Sequence, residues 1–199
     1  NYLKATYNYK DLITDDFLVH FVAIPTEKDG KPYYKPLLNV LTNIAKINRK
    51  VKNPPIVIIE STLAPKVSDK KIIPFFKKKK LTIGKNILLS VAPRRDWFIE
   101  GVKNLENLDR VYGSTDKKSA KVTKDILSIV CKKLHLASSY RVSEMVKSVE
   151  NAYRHMDITL ANQLSLAFPK DNMREVLKLV GTKWNIETFH PGIGTGGYC

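Results

Sequence analysis

Acidic residues are scarce in this chain: 19 Asp and Glu stand against 34 Lys and Arg in 199 residues, a formal net charge of +15. A charge of that size and sign is the first footprint of a nucleic-acid or polyanion binder. What accompanies it argues against that class. The lysines are scattered, Lys77 to Lys80 form the only tight run, and neither interleaved aromatics nor a finger or RNA-binding signature occurs. A lysine-rich surface accounts for the charge, and nucleic acid is not expected as a partner.

Long apolar runs are missing as well. No stretch of 18 apolar residues occurs, which argues against a membrane-spanning helix. The opening Asn1-Tyr2-Leu3-Lys4 is not followed by the apolar region of a signal peptide, and no initiator Met begins the chain, so it reads as a piece of a longer one. Cysteine is limited to Cys131 and Cys199, too few for a disulfide framework and fitting a reducing, cytoplasmic compartment. Cys131, in "ILSIVCKKL", is expected on the apolar side of a helix. Cys199 follows glycines and sits in no apolar pattern. A nucleotide-binding strand–turn–helix with G-x-G-x-x-G is absent from the start; "GIGTGG" (192–197) fits that spacing only loosely and follows no strand. No metal-ligand set is assigned.

What is present is enough apolar material, 43% of residues, for a packed core. Strands are predicted at 16–26, 55–62, 86–93 and 110–114, where short β-branched or apolar runs end at turn residues. Helices are predicted at 37–48, over "KIIPFFKKKK" with Pro74 in the first turn, and at 117–134. The alternation implies an α/β fold with a parallel sheet. In such sheets ligands bind beyond the carboxyl ends of strands, which here carry "PT" (25–26), "EST" (60–62) and "APRR" (92–95). A Gly- and Pro-free stretch from 139 to 168 predicts one long helix, and "DNMREVLKLVG" a shorter one stopped by Gly181. The change of character falls near residues 134–140.

Along the long helix, Lys147, Asn151, Arg154, Ile158 and Asn162 recur at spacings of four, three, four and four, which places them on one stripe. Such a stripe is either a solvated face or the polar wall of a cleft in which Lys147 and Asn151 reach one ligand. The last ten residues, "HPGIGTGGYC", hold four glycines in six positions and end on a thiol. That density marks backbone that something approaches closely.

Five motifs in order resemble the nucleotide-sugar 6-dehydrogenases, the UDP-glucose/GDP-mannose dehydrogenase family. They are "VAIPT", "IIESTLAP", "SVAPRRDWFIEG", "DRVYGS", and "KSVENAYRHMDITLANQLSLAF" followed by "HPGIGTGGYC". "ENAYR" and "PGIGTGG" are most similar to the branch acting on UDP-N-acetylhexosamines. The resemblance implies a Rossmann-like α/β domain over 1–135, its first strand missing, and the start of a helical central domain over 136–199. It also implies a C-terminal UDP-binding domain that is absent from this chain.

It further implies oxidation of a UDP-sugar at C6 to the uronic acid with NAD, through a thiohemiacetal and thioester on a cysteine, in a dimer formed by the central helices. Cys199 matches the nucleophile, Lys147 the oxyanion-stabilising lysine, Asn151 the water-orienting asparagine, and Thr62 the threonine near the reacting centre. Pro25, Thr26, Ser61 and Thr62 are implied on the cofactor side. Arg94, Asp96, Glu100, Lys147, Asn151, Arg154, Gly194, Gly196 and Gly197 are implied on the substrate side. Two positions depart from the pattern: Arg94 stands where the family has Glu, and Asn162-Gln163 where it has Asn-Glu. Two alternatives therefore stay open: a catalytically impaired nucleotide-sugar-binding protein of the same fold, and a basic polyanion-binding module.

Overall fold

In the computed structural model, residues 5–12, 18–48, 53–95 and 105–192 are described. Along the chain the elements are β1 (Val19–Val22), β2 (Glu27–Lys28), β3 (Lys31–Pro32), α1 (Lys35–Asn48), β4 (Ile56–Ile59), α2 (Ile73–Lys78), β5 (Leu88–Val91), β6 (Arg110–Ser114), α3 (Lys117–Leu127), β7 (Leu134–Leu136), α4 (Tyr140–Ala167) and α5 (Met173–Val180). The chain divides into two units, Asn1–Lys147 and Ser148–Cys199, and helix α4 runs through the division.

The sequence Ile56-Val57-Ile58-Ile59 is buried at every position, as expected of a parallel strand covered on both faces. Its side chains alternate between two cores. Val57 and Ile59 join Leu37, Leu41 and Ile44 of α1 and Phe76 of α2. Ile56 and Ile58 join Leu88, Tyr112 and Leu127. The sheet order is β1-β4-β5-β6-β7. The pairs β1·β4, β4·β5 and β6·β7 are parallel.

The α/β architecture with a mostly parallel sheet is thus the one expected, with one pair that departs: β6 runs antiparallel to β5, Ser90 facing Ser114 and Val91 facing Gly113. Parallel neighbours need a crossover of a dozen or more residues, usually helical, and antiparallel ones do not; no helical periodicity separates 93 from 110. Helix α3 also differs from its expected span. It stops at Leu127, where Ser128 turns its hydroxyl back onto the Asp125 carbonyl at 2.9 Å. Cys131 is buried, but in the connection to β7 rather than on a helix. Pro74 does lie in the first turn of α2, behind a wider turn at Ser68–Ile72.

Two local devices fix the helices that flank β6. Asp116 caps α3, its carboxylate accepting from the Ser119 amide at 2.9 Å. Gly113 sits under the entry to α4, where a Cβ would lie 2.3 Å from the Ser139 carbonyl oxygen. Only glycine permits that approach.

In the second unit, Ala161 of α4 packs with Met173 and Leu177 of α5. Asn172 caps α5 through the Glu175 amide at 3.3 Å. Gly181 ends α5 in a right-handed conformation, φ −69°. No helix among the described residues is long and apolar enough to cross a membrane.

Candidate active site

The strand-end segments singled out in the sequence meet at one edge of the sheet. Ser61, buried just beyond β4, accepts from the Ile24 amide at 2.8 Å and lies 2.8 Å from the Ile24 carbonyl. Its amide donates to Val22 at 3.1 Å. The Ser61 hydroxyl is therefore engaged in tying the end of β1 to the end of β4. Thr26 donates its hydroxyl to the Thr62 carbonyl at 2.5 Å. The Thr62 side chain is exposed, that of Thr26 half-buried, and Pro25 exposed beside it. The floor of this edge is backbone held by Ser61, and the side chain it offers outward is that of Thr62.

Next to it lies a buried charge. Glu60 is 7% exposed and Arg110 6%, and the Arg110 guanidinium donates to the Glu60 carboxylate and to the Ala92 carbonyl at 3.1 Å. Burying a carboxylate in an apolar sheet needs a paired, hydrogen-bonded cation, and Arg110 supplies it from the first position of β6. Arg94 adds to the same carboxylate, Nη1 at 3.6 Å, and its amide bonds the Glu60 carbonyl at 3.1 Å. Arg94 is thus held at the ends of β4 and β5. The Glu60–Arg110 pair was not singled out in the sequence. An ionic residue closing a fully apolar strand was the signal that a counter-charge had to exist.

Helix α4 has an inverted look. Lys147, Asn151, Arg154 and Asn162 are half-buried and Ile158 is buried. The apolar side chains of Val142, Met145, Val149, Tyr153, Met156 and Leu160 are 44% to 68% exposed. The polar stripe is therefore the sheltered side of the helix, not the solvated one. A shallow groove of about 370 Å³ on the second unit is lined by His155, Met156, Thr159, Leu160 and Gln163. Lys147 falls in the first unit, with Thr62 and Arg94; Asn151 and Arg154 fall in the second.

Asn162 proves more than a stripe member. Its Nδ2 donates to the Gly192 carbonyl and its Oδ1 accepts from the Gly192 amide, both at 2.9 Å. One side-chain amide thus pairs with both backbone groups of the residue that opens the glycine-rich segment. Cys199, Gly194, Gly196 and Gly197 lie outside the described residues, as do Asp96 and Glu100.

Residues 1–130 match the UDP-glucose/GDP-mannose dehydrogenase family, NAD binding domain, and residues 141–199 match its central domain. The chain is 32% identical to protein CapL of Staphylococcus aureus over 99% of its own length and 46% of that protein's. It is 30% identical to the UDP-N-acetyl-D-glucosamine 6-dehydrogenase of Pseudomonas aeruginosa, over 99% of its length and 47% of the relative's. Among solved structures, the UDP-D-ManNAc dehydrogenase of Pyrococcus horikoshii superposes with a TM-score of 0.83 at 27% identity, covering 98% of this chain and 46% of that one. The chain spans a little under half the length of these relatives. With a matched NAD-binding domain, a matched central domain and strand ends built as described, the chain belongs to the UDP-glucose/GDP-mannose dehydrogenase family.

Proposed function

We propose that this chain is the NAD-binding part and the beginning of the central part of a UDP-sugar 6-dehydrogenase, with residues 1–135 and 136–199 as the two domains. UDP-N-acetylmannosamine and UDP-N-acetylglucosamine are the first substrates to try, because relatives so named share about a third of their residues with this chain. The observation that carries the reading is the knot of Thr26, Ser61 and Thr62 at the carboxyl ends of parallel strands. That is where α/β sheets take their ligands.

The residues there fit NAD. Thr62 and the backbone beyond Pro25 face outward, and Ser61 acts as scaffold through its backbone partners. Bound NAD supplies a hydride acceptor for each of two successive oxidations. The chain's own groups do the rest. The Cys199 thiolate adds to the C6 aldehyde, and the Lys147 ammonium stabilises the resulting oxyanion. After the second oxidation Asn151 orients the water that hydrolyses the thioester, which returns the free thiol and releases a carboxylate. Arg94, Asp96, Glu100, Arg154 and the glycines 194, 196 and 197 contact the sugar nucleotide. The exposed apolar side of α4 is the surface through which two copies associate, and the compartment is the cytoplasm.

The Arg94–Glu60 contact favours one second reading, a sugar-nucleotide binder with impaired catalysis. Here a cation, tied to a buried carboxylate, replaces the family's Glu. Product analysis on the full-length protein separates the two. An enzyme yields two NADH per uronic acid, and Cys199→Ser abolishes turnover while substrate binding persists, since a hydroxyl lacks thiolate reactivity. Binding without product in the wild-type protein favours the second reading, and full turnover by Cys199→Ser rules out the covalent route.

A further inference from the structure

Glu144 stands in the first turns of α4 and is 2% exposed. Its carboxylate accepts three hydrogen bonds from the segment after "EST". They come from the Val67 amide at 2.9 Å, the Ser68 amide at 3.0 Å and the Ser68 hydroxyl. The two amides open the helical stretch that leads through Ser68–Ile72 into α2. They are donors that the helix itself leaves unmatched, and a carboxylate at such an end is favourably placed. Glu144 thus caps one helix from within another, across 76 and 77 residues of sequence.

The neighbouring fastenings of α4 are of other kinds. Ser143 donates to the Val91 carbonyl at 2.8 Å, which ties the helix to the end of β5. Arg141 and Tyr140 both reach Asp69, at 2.6 Å and 2.5 Å, and Arg141 is mostly exposed. Glu144 alone among these puts a buried charge into its socket, and its long side chain fixes the rotation of the helix about its own axis. Lys147 follows three residues later, one turn along on the same side.

We propose that Glu144 is a positioning residue: by locking the rotation and register of α4 on the Val67–Ser68 amides it aims the Lys147 ammonium at the reacting centre. This rests on the reading of Lys147 as oxyanion stabiliser. Shortening the side chain by one methylene draws the carboxylate away from its donors, so the helix must shift or the bonds must lengthen.

The experiment is a double-mutant cycle in the full-length enzyme, following NADH from UDP-N-acetylmannosamine. Glu144→Asp lowers kcat by about 10-fold or more and leaves the KM for NAD within about 2-fold, because the interaction lost is made in the transition state. Ser68→Ala removes one of the three bonds and lowers kcat by about 3-fold with the same unchanged KM; it keeps the carboxylate and both amides, so it reports even where Glu144→Asp does not fold. On a Lys147→Ala background Glu144→Asp has no further effect, since its target is gone. A slow Lys147→Ala enzyme on which Glu144→Asp multiplies fully overturns the positioning role alone. An unchanged kcat in Lys147→Ala overturns the reading of Lys147 and with it the target assigned to Glu144. Unchanged kcat in both Glu144→Asp and Ser68→Ala also overturns the proposal.

Discussion

Asn162 and Gly192 hold each other by two hydrogen bonds of 2.9 Å, side-chain amide against backbone amide. The pairing fixes where the chain stands as it enters the glycine-rich segment, 30 residues after Asn162. Glycine backbone is the least self-restrained in the chain, so an external anchor is what gives it a defined starting point. Asn162→Ala removes both bonds, and Asn162→Asp turns the donor into a second acceptor facing the Gly192 carbonyl. Either variant should speed hydrogen exchange of the Gly192 amide, and in the whole enzyme lower kcat by about 10-fold, from two bonds of about 1 kcal/mol each. Unchanged exchange at Gly192 would show that the anchor is not formed in solution.

Gly113→Ala should destabilise the first unit. The added methyl would meet the Ser139 carbonyl carbon and oxygen at 2.8 Å and 2.3 Å, and both are backbone atoms at the entry to α4. The helix must therefore move off the sheet, at about 1–3 kcal/mol by analogy with overpacked cores. Denaturant unfolding of the variant beside the wild type reads this directly, and an unchanged midpoint would contradict the close approach.

The acid side of the stability curve should involve Asp116. Burial pushes its carboxyl up, but bonds from the Ser119 amide and hydroxyl and the Thr115 hydroxyl outweigh that and hold it below the usual 3.8. A carboxyl depressed in the folded state stabilises it above the unfolded value, near 3.8. That contribution fades as pH falls through the lower folded value. Wild type should therefore lose more stability between about pH 5 and about pH 3 than Asp116→Asn, which caps without titrating. Asp116→Ala should lose about 1 kcal/mol at neutral pH. Melting curves of the three proteins across that range are the check.

Lys147→Ala in the full-length enzyme should lower kcat by about 10²–10³ and change KM little, the signature of a donor that acts on the anionic tetrahedral species. Steady-state NADH production measures it. A purely structural lysine on the sheltered side of α4 would leave kcat intact.

Elements are legible in the sequence wherever a local signal is sufficient. The Arg110–Ser114 strand and the Tyr140–Ala167 helix stand within a residue of expectation, because one is a compact β-branched run and the other a long stretch free of Gly and Pro. Where tertiary packing overrides local preference, the expected element is wrong. Leu134 and the residues just before it extend a plausible helix, yet they turn away to put Cys131 in the core and Leu134–Leu136 beside β6. The two-residue strands Glu27–Lys28 and Lys31–Pro32 are too short to give a period, though Asp29-Gly30, both at positive φ, is a strong turn signal. In the candidate site, residue types alone were enough to single out Thr26, Thr62 and Lys147. The partners that fix the frame could not be read, since Glu144 with Ser68, Glu60 with Arg110 and Ser61 with Ile24 are joined across 76, 50 and 37 residues.

Helix α4 is unbroken for 28 residues, about 42 Å at ~1.5 Å per residue, and passes from one unit into the next without a loop. Most insertions in proteins are absorbed where the chain turns through solvent. Here there is no such slack. One residue gained or lost between Lys147 and Asn151 would swing everything after it by ~100° around the axis, carrying Arg154 and Asn162 off the sheltered side and Met156 and Leu160 toward it. Viable length changes in this stretch are confined to about seven residues, two turns, which restore the facing. The gene should vary here by substitution and hardly at all by length.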